Sequence, residues 1–513
     1  MALSADNVFA QKVESSQRVL LVVAALAVLF WTAIYFQFSI DDAYISYRYG
    51  KTLIAHHIWN WNPSGIHEEA YTSAVYTALS VIPAALRVSP ALFFKCVGLL
   101  CVFGMGYRLY TQPRSRFACL VGFLLLACDP WVWLHCYSGL ETPLYMLLIL
   151  EMALSVERAA TVAPEWVYLL ALVLPLTRPE GILFSVVGVW LYWRRRGTLP
   201  KHWRSLAATI LLGLLYFVAR WKYFHQLLPN PFYVKVDHDS VRAVLDHIAD
   251  NFSMFRGFLL VLILILCIAR KPVTRVFTLC ALALIVLLVF PHNMPMNYAD
   301  RYIFQVSLPV VLLFLIAEDV TEMARVATVI VAVFLVALSP AEMIYGVRYF
   351  PSMLRAHVDI GKRLAPFAAN HTILAGDVGV IPYYSDWVTY DFAGLATGSI
   401  ARHGLDEASL ERMRPDLIIL YNAKPGPGLL VDHSWVGPEP AASTIVQYIR
   451  DSGDYVYAAS SRANHFYLVE FVRKDTPQFA QIVATLQQNS AASDTASFSI
   501  KDLLLQRYVP WSK

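Results

Sequence analysis

Two adjacent carboxylates, Asp41 and Asp42, follow the first long apolar stretch of this 513-residue chain, in the run FSIDDAYISYRYGKTLIAHHIWNWNPSGIHEEAYTS. A carboxylate in a partly dry place accepts the proton of an attacking hydroxyl, which is general-base catalysis. The plainer alternative is a helix cap, because Ile45, Tyr49 and Leu53 recur every four residues behind the pair. Only one residue fits a cap, so the second carboxylate still needs a reason. An Asp at the centre of a membrane helix costs about 2.5 to 3.5 kcal/mol, and charges beside hydrocarbon are therefore functional candidates. Asp41 is the stronger candidate base, with Asp42 orienting an acceptor or capping the helix.

Further residues of the right type are scattered along the chain. Arg178 lies between two apolar segments with almost no loop, in LTRPEG; it either snorkels or faces an anion. The two prolines of LLPNPFYVK, which also holds Asn230, hold an extended turn that presents Lys235. Arg301 follows Asp300, and pairing between the two is an equal alternative. Together Arg178, Lys235 and Arg301 have the chemistry of a phosphate clamp. Glu68, Glu69 and Tyr71 open the stretch Tyr71 to Leu86, where the acids either complement a helix dipole or hydrogen-bond a sugar-like acceptor. Glu141, just ahead of Pro143, has the same two alternatives. His56, His57 and His67 match no metal-ligand spacing. No cofactor motif is present and none is required; a divalent metal stays open as an alternative.

The elements that must position these groups are membrane helices. Hydrophobic residues make up 58% of the chain and charged ones 15%, against about 25% charged in soluble domains. The net charge of +4 is too small to imply nucleic acid, and the seven cysteines show neither disulfide nor metal spacing. The N-terminal apolar run of about 20 residues ends without a small-residue cleavage site and is expected as an uncleaved first helix. Further apolar segments fall near Ala91 to Tyr107, Ala118 to Leu134, Leu144 to Leu154, Trp166 to Leu176, Ile182 to Trp193, Leu206 to Trp221, Phe258 to Ala269, Val276 to Phe290, Ile303 to Ile316 and Val326 to Leu338. If Tyr71 to Leu86 lies in the interface instead of spanning, three basic clusters all fall inside: Arg108 with Arg114 and Arg116, Arg194 to Arg196 with Lys201 and Arg204, and Arg270, Lys271 and Arg275. That choice gives about eleven spans and a cytoplasmic N-terminus. Every polar motif above then faces the extracytoplasmic side.

Behind Leu338 the pattern changes to alternating helix and strand. A helix is expected over Met353 to Phe367, with strands at Thr372 to Ala375, Asp416 to Leu420, Tyr455 to Ala459 and Phe466 to Phe471. The division expected is therefore residues 1–343 as a polytopic α-helical membrane domain and 344–513 as an extracytoplasmic α/β domain. A Ser/Ala/Gln-rich link at Gln487 to Ser497 and a last helix at Lys501 to Tyr508 end the chain. No internal repeat is visible, which disfavours an inverted-repeat transporter.

Six pieces in order, DDAYISYRYGKTL with WNWNP, EEAYTS, SGLETPLY, LTRPEG, LLPNPFYVK, and GDVGVIPYYSD with TYDFAGL, resemble the polyprenyl-phosphate-sugar-dependent membrane glycosyltransferases of the GT-C fold. They look most like the branch that adds terminal arabinofuranose in mycobacteria. The resemblance implies that one Asp of the pair is the catalytic base in a single inverting displacement with polyprenyl phosphate leaving. It implies that Arg178, Lys235 and Arg301 hold the donor phosphate, while Glu68, Glu69, Tyr71, Glu141 and Asn230 line the acceptor side.

The function expected is transfer of a sugar, D-arabinofuranose first, from a lipid-linked donor to a cell-envelope glycan or a protein at the bacterial plasma (inner) membrane, on its periplasmic face. The partners expected are that donor, the acceptor and membrane lipids, with no nucleic acid. A hexosyl transferase of mannosyl type and a flippase for lipid-linked sugars are the alternatives.

Overall fold

The computed structural model describes residues 22–23, 25–111, 116–197, 202–235, 241–290, 298–318, 350–367, 371–422, 424–428, 439–463 and 466–488. Outside them lie the expected segment Val326 to Leu338, the helix at Lys501 to Tyr508, nearly all of the Ser/Ala/Gln-rich link, and Arg114 and Lys201. The apolar segments that fall within the described residues are helical. They include Ala25–Tyr35, Pro90–Thr111, Arg116–Cys128, Pro130–Tyr137, Thr142–Glu157, Pro164–Thr177, Gly181–Arg196, Trp203–Phe224, Val241–Ile268, Pro272–Leu284 and Arg301–Ala317. Several starts are encoded by a proline in the first turn, where the missing N–H has no helical partner to lose. Pro130, Pro143, Pro164 and Pro272 serve in this way, and Asp129 adds a side-chain cap on the Trp131 amide at 2.8 Å.

Three described helices, Pro90–Thr111, Trp203–Phe224 and Pro272–Val289, are long and apolar enough to cross a bilayer. A fourth span results if Pro130–Tyr137 and Thr142–Glu157, bent by 115° across a short break, count as one. Shorter apolar stretches are Ala25–Tyr35, Ala74–Leu86, Pro164–Thr177, Arg301–Ala317 and, at the end of the helix Val241–Ile268, Gly257–Ile268. Tyr71 to Leu86 is broken: Ser73 caps a helix Ala74–Leu79, and a second helix, Val81–Leu86, follows Ser80. Glu68 and Glu69 therefore precede the first helical turn instead of forming it.

The chain forms two compact units. One draws on Met1–Phe38, Phe94–Gly213 and Asp239–Met343, the other on Ser39–Phe93, Leu214–His238 and Ile344–Lys513. In the first, Thr142–Glu157 packs with Pro164–Thr177, Gly181–Arg196 and Arg301–Ala317. Its ion pairs include Arg108 with Glu151, and Lys271 and Arg195 with Glu157.

The second unit contains a five-stranded sheet, β1 (Thr372–Ala375), β2 (Val388–Asp391), β3 (Leu417–Asn422), β4 (Tyr455–Ala463) and β5 (Phe466–Arg473). Their order is β2-β1-β3-β5-β4. β1 runs parallel to both β2 and β3, while β5 is antiparallel to β3 and β4. Four of the strands sit where the sequence pattern expects them. The unexpected strand is β2, whose four residues Val-Thr-Tyr-Asp carry a weak apolar signal and are fixed by pairing with β1. The helix before the sheet is Phe350–Leu364, starting three residues earlier than Met353. A core of Leu374, Ile418, Leu420, Ile445, Val469 and Phe471 fills one face of the sheet.

Because Leu420 is fully buried in that core, Leu420→Ala should cost about 2 to 5 kcal/mol by loss of burial and creation of a cavity. Limited proteolysis of the full-length protein should then cut within residues 371–473 faster than in wild type. An unchanged cleavage rate would contradict this packing.

Candidate active site

Ile40 is extended, and the helix Asp41–His56 begins directly behind it, so both carboxylates lie in the first turn and neither caps its own helix. Asp41 caps a different one. Its Oδ2 accepts the Gly379 amide at 2.7 Å and its Oδ1 the Val380 amide at 2.8 Å, at the start of the helix Val380–Ser385. The loop between β1 and that helix lies so close that a Cβ on Gly379 would stand 1.8 Å from the Asp41 carbonyl oxygen. Only glycine fits there. Asp41 is 2% exposed, whereas Asp42 beside it is half-buried.

Two residues of the same unit complete the surroundings. His357, on Phe350–Leu364, is fully buried and directs Nδ1 at the Met353 carbonyl, 2.7 Å, and Nε2 at Asp377 Oδ2, 2.8 Å. Both partners are acceptors, so both ring nitrogens donate and the ring is an imidazolium. Burial opposes that charge, but the Asp377 hydrogen bond and charge, with Asp41 and the Met353 carbonyl, overcome it and lift His357 to about 9. Asp41 is raised to about 7, first by burial and then by the Asp377 charge, against the lowering effect of His357 and the Val380 amide. A carboxyl poised there exchanges a proton near neutral pH. One lone pair on each Asp41 oxygen is used by an amide, and a carboxylate has about four acceptor sites in all.

The acidic dipeptide of the EEAYTS motif splits in role. Glu68 Oε2 accepts Asn230 Nδ2 at 2.9 Å and the Gly398 amide at 2.8 Å. Burial raises its carboxyl, partly offset by those two donors and by Arg402. Glu69 instead takes Arg220 in a fork of 2.7 and 2.5 Å, and its backbone carbonyl accepts the Asn230 amide at 3.0 Å. Tyr71 is buried edge-on to Tyr49, 4.9 Å between rings. Thus Glu68, Glu69 and Asn230 come together, with Tyr71 beside them through Tyr49.

Arg178, Glu141 and Arg301 belong to the first unit, where they also meet. Arg178 sits in the gap between Pro164–Thr177 and Gly181–Arg196, with Nη1 2.6 Å from Glu141 Oε1 and Nε 2.6 Å from Glu180 Oε1. Its guanidinium lies over the Tyr302 ring. Arg301 donates to the Tyr302 hydroxyl at 2.8 Å and faces the Tyr298 and Tyr302 rings. Lys235 closes the helix Asn230–Lys235, and its side chain lies outside the described residues.

Among the described residues no group of three or more His, Cys, Asp or Glu is arranged to hold a metal ion. His56 pairs with Asp386 at 2.8 Å, and His67 stacks on Tyr223. Sequence reasoning missed His357 and Asp377 as site residues, although Asp377 stands in the motif GDVGVIPYYSD. It also missed Arg220, which an arginine inside the apolar helix Trp203–Phe224 should have flagged.

Residues 351–489 match a family model described as a domain of unknown function, DUF8728. No curated protein matches the chain. Among solved structures, it is similar to a crystal structure of ArnT from Cupriavidus metallidurans bound to undecaprenyl phosphate. That likeness has a TM-score of 0.52 at 13% identity and covers 88% of this chain and 97% of that one. The apo structure of the same protein gives 0.51 at 13% identity, over 89% and 98%. The GT-C type of fold expected from the sequence is thereby shown at the level of architecture.

Two outcomes follow for stability. Arg220→Ala strands the buried Glu69 carboxylate and should cost about 3 to 5 kcal/mol, whereas Arg220→Met combined with Glu69→Leu should recover most of it. The Tm values of the detergent-solubilised proteins decide this. His357, held at about 9 in the fold against an ordinary 6.5, contributes stability that is complete below about pH 6.5 and is lost as pH rises through about 9. Across that window the wild-type Tm should fall more steeply than that of His357→Gln; parallel curves would contradict the imidazolium.

Proposed function

We propose that this chain is a membrane glycosyltransferase that moves a sugar from a polyprenyl-phosphate-linked donor to a hydroxyl acceptor. The observation that carries it is Asp41, a buried carboxyl poised near neutrality and aimed by two backbone amides, in a chain with an ArnT-type fold. That the similar ArnT structure holds undecaprenyl phosphate supports the donor class.

In the proposed reaction the acceptor O–H gives its proton to Asp41, and the acceptor oxygen forms a bond to the anomeric carbon. The bond from that carbon to the phosphate oxygen breaks, and polyprenyl phosphate leaves with the electron pair, inverting the anomeric centre. Asp42 orients the acceptor. Glu68 and Asn230 hydrogen-bond acceptor hydroxyls, with Glu69 and Tyr71 shaping their surroundings. Arg301, Lys235 and Arg178 are assigned to the donor phosphate, and Glu141 to the acceptor. The sugar is D-arabinofuranose on the motif resemblance, and the acceptor is a cell-envelope glycan or a protein. On the positive-inside rule, taking about eleven spans and an interfacial Tyr71 to Leu86, the chemistry and residues 344–513 are assigned to the outside of the bacterial plasma membrane.

With purified protein in lipid nanodiscs and labelled polyprenyl-phospho-arabinofuranose, Asp41→Asn should lower transfer about 10²- to 10⁴-fold, the usual contribution of a positioned base. Donor binding should survive. Asp42→Asn should lose less. Transfer by the wild type should fall as pH drops below about 7, because protonated Asp41 accepts nothing. Full activity in both variants would sink the mechanism, and a matched mannosyl donor used better than the arabinosyl one would reassign the sugar.

A further inference from the structure

The stretch Gly376-Asp377-Val378-Gly379 does two things at once. Its last residue gives an amide to Asp41, and its second residue holds His357. His357 is in turn fixed at its other nitrogen by Met353 of its own helix. An unbroken connection therefore runs from the Phe350–Leu364 helix, through imidazolium and carboxylate, to the loop on which Asp41 is seated. The imidazolium has no acceptor lone pair and both of its N–H groups are engaged, so it acts on Asp41 through charge and through the position of this loop.

Resting on the glycosyltransferase assignment above, we propose that Asp377 and His357 are positioning residues for the proton-accepting carboxylate Asp41. The domain of unknown function thereby supplies working parts of the catalytic apparatus. Asp377 places a negative charge next to Asp41 and so favours its holding a proton; His357 places a positive charge there and favours its release. Between them they set when Asp41 accepts a proton.

The other charged and titratable groups on the packed elements are otherwise disposed. On Asp41's own helix, Asp42 adds a negative charge and Tyr44 packs against Tyr383 and Tyr384 of the following helix. Lys51 pairs with Asp386 at 3.2 Å, and Arg48 donates to the Trp387 carbonyl. On the His357 helix, Arg363 pairs with Asp359, Lys362 lies over Tyr384, and Arg355 donates to the Pro351 carbonyl.

Removing His357 leaves the Asp377 charge alone beside Asp41, whereas removing Asp377 also takes away what keeps His357 protonated, so the two variants should differ. In nanodiscs, the acidic limb of the kcat/KM profile should shift up by about one pH unit in His357→Gln and by much less in Asp377→Asn. A merely structural role lowers activity in both variants without displacing the limb. The carboxyl band lost in Asp41→Asn, followed by infrared titration of the same proteins, should show the same contrast whether or not transfer is detected. A limb and band that stay in place in His357→Gln, or that move up as far in Asp377→Asn, overturn the proposal. Absence of transfer from every polyprenyl-phospho-sugar, with the band shifts intact, overturns only the glycosyltransferase assignment. Should either variant fail to fold, the wild-type band decides: titration below about pH 5, the ordinary carboxylate range, overturns the coupling, and titration near 7 supports it.

Discussion

The seat of Asp41 on the Gly379 and Val380 amides is the constraint on which the second unit depends, joining residues 338 positions apart in sequence. It fixes where the helix Asp41–His56 begins relative to the loop behind β1. It also explains why position 379 has no side chain, since the Asp41 backbone occupies that space. Charge-assisted bonds from backbone amides are strong and directional. They hold the carboxylate still without neutralising it.

That distinction sorts the buried acids of this unit. Glu69 is clasped by Arg220 in a two-point fork, which offsets part of the upward push that burial gives its carboxyl. Asp391 is held, among the described residues, by backbone amides such as those of Ala393 and Ala396, and burial lifts it to about 7. Its acceptors serve the turn after β2, which is structural work. Asp41 shares the amide donors and the poise, but it has a charged pair, Asp377 and His357, acting on it from outside. A carboxylate held by amides and addressed by charges of both signs is suited to proton exchange.

How much of this was legible in the sequence follows from the range of the interactions. Helices built on long apolar runs, and strands such as Thr372–Ala375, are local decisions, and residue pattern alone located them. β2 was invisible because four residues gain their conformation from a neighbouring strand. Asp41 and Asp42 were legible as chemistry, since charge beside hydrocarbon is costly wherever it folds. The different surroundings of the two were not, because the amides that hold Asp41 come from residues 379 and 380. Glu68 and Glu69 looked alike as neighbours and differ only through Asn230, Gly398 and Arg220. His357 was silent for the same reason: its helix is ordinary, and its charge is made by a carbonyl four residues back and a carboxylate twenty residues on.

The basic residues of the first unit are divided by the same logic. Arg178 has its charge answered by Glu141 and Glu180. Arg301 donates to the Tyr302 hydroxyl and faces the Tyr298 and Tyr302 rings, which orient its guanidinium. Gln305, one helical turn beyond Arg301, donates to Glu180 at 3.2 Å and helps turn that carboxylate towards Arg178. In this cluster Arg178 with its acids is the scaffold, and the Tyr302 ring packs against both arginines.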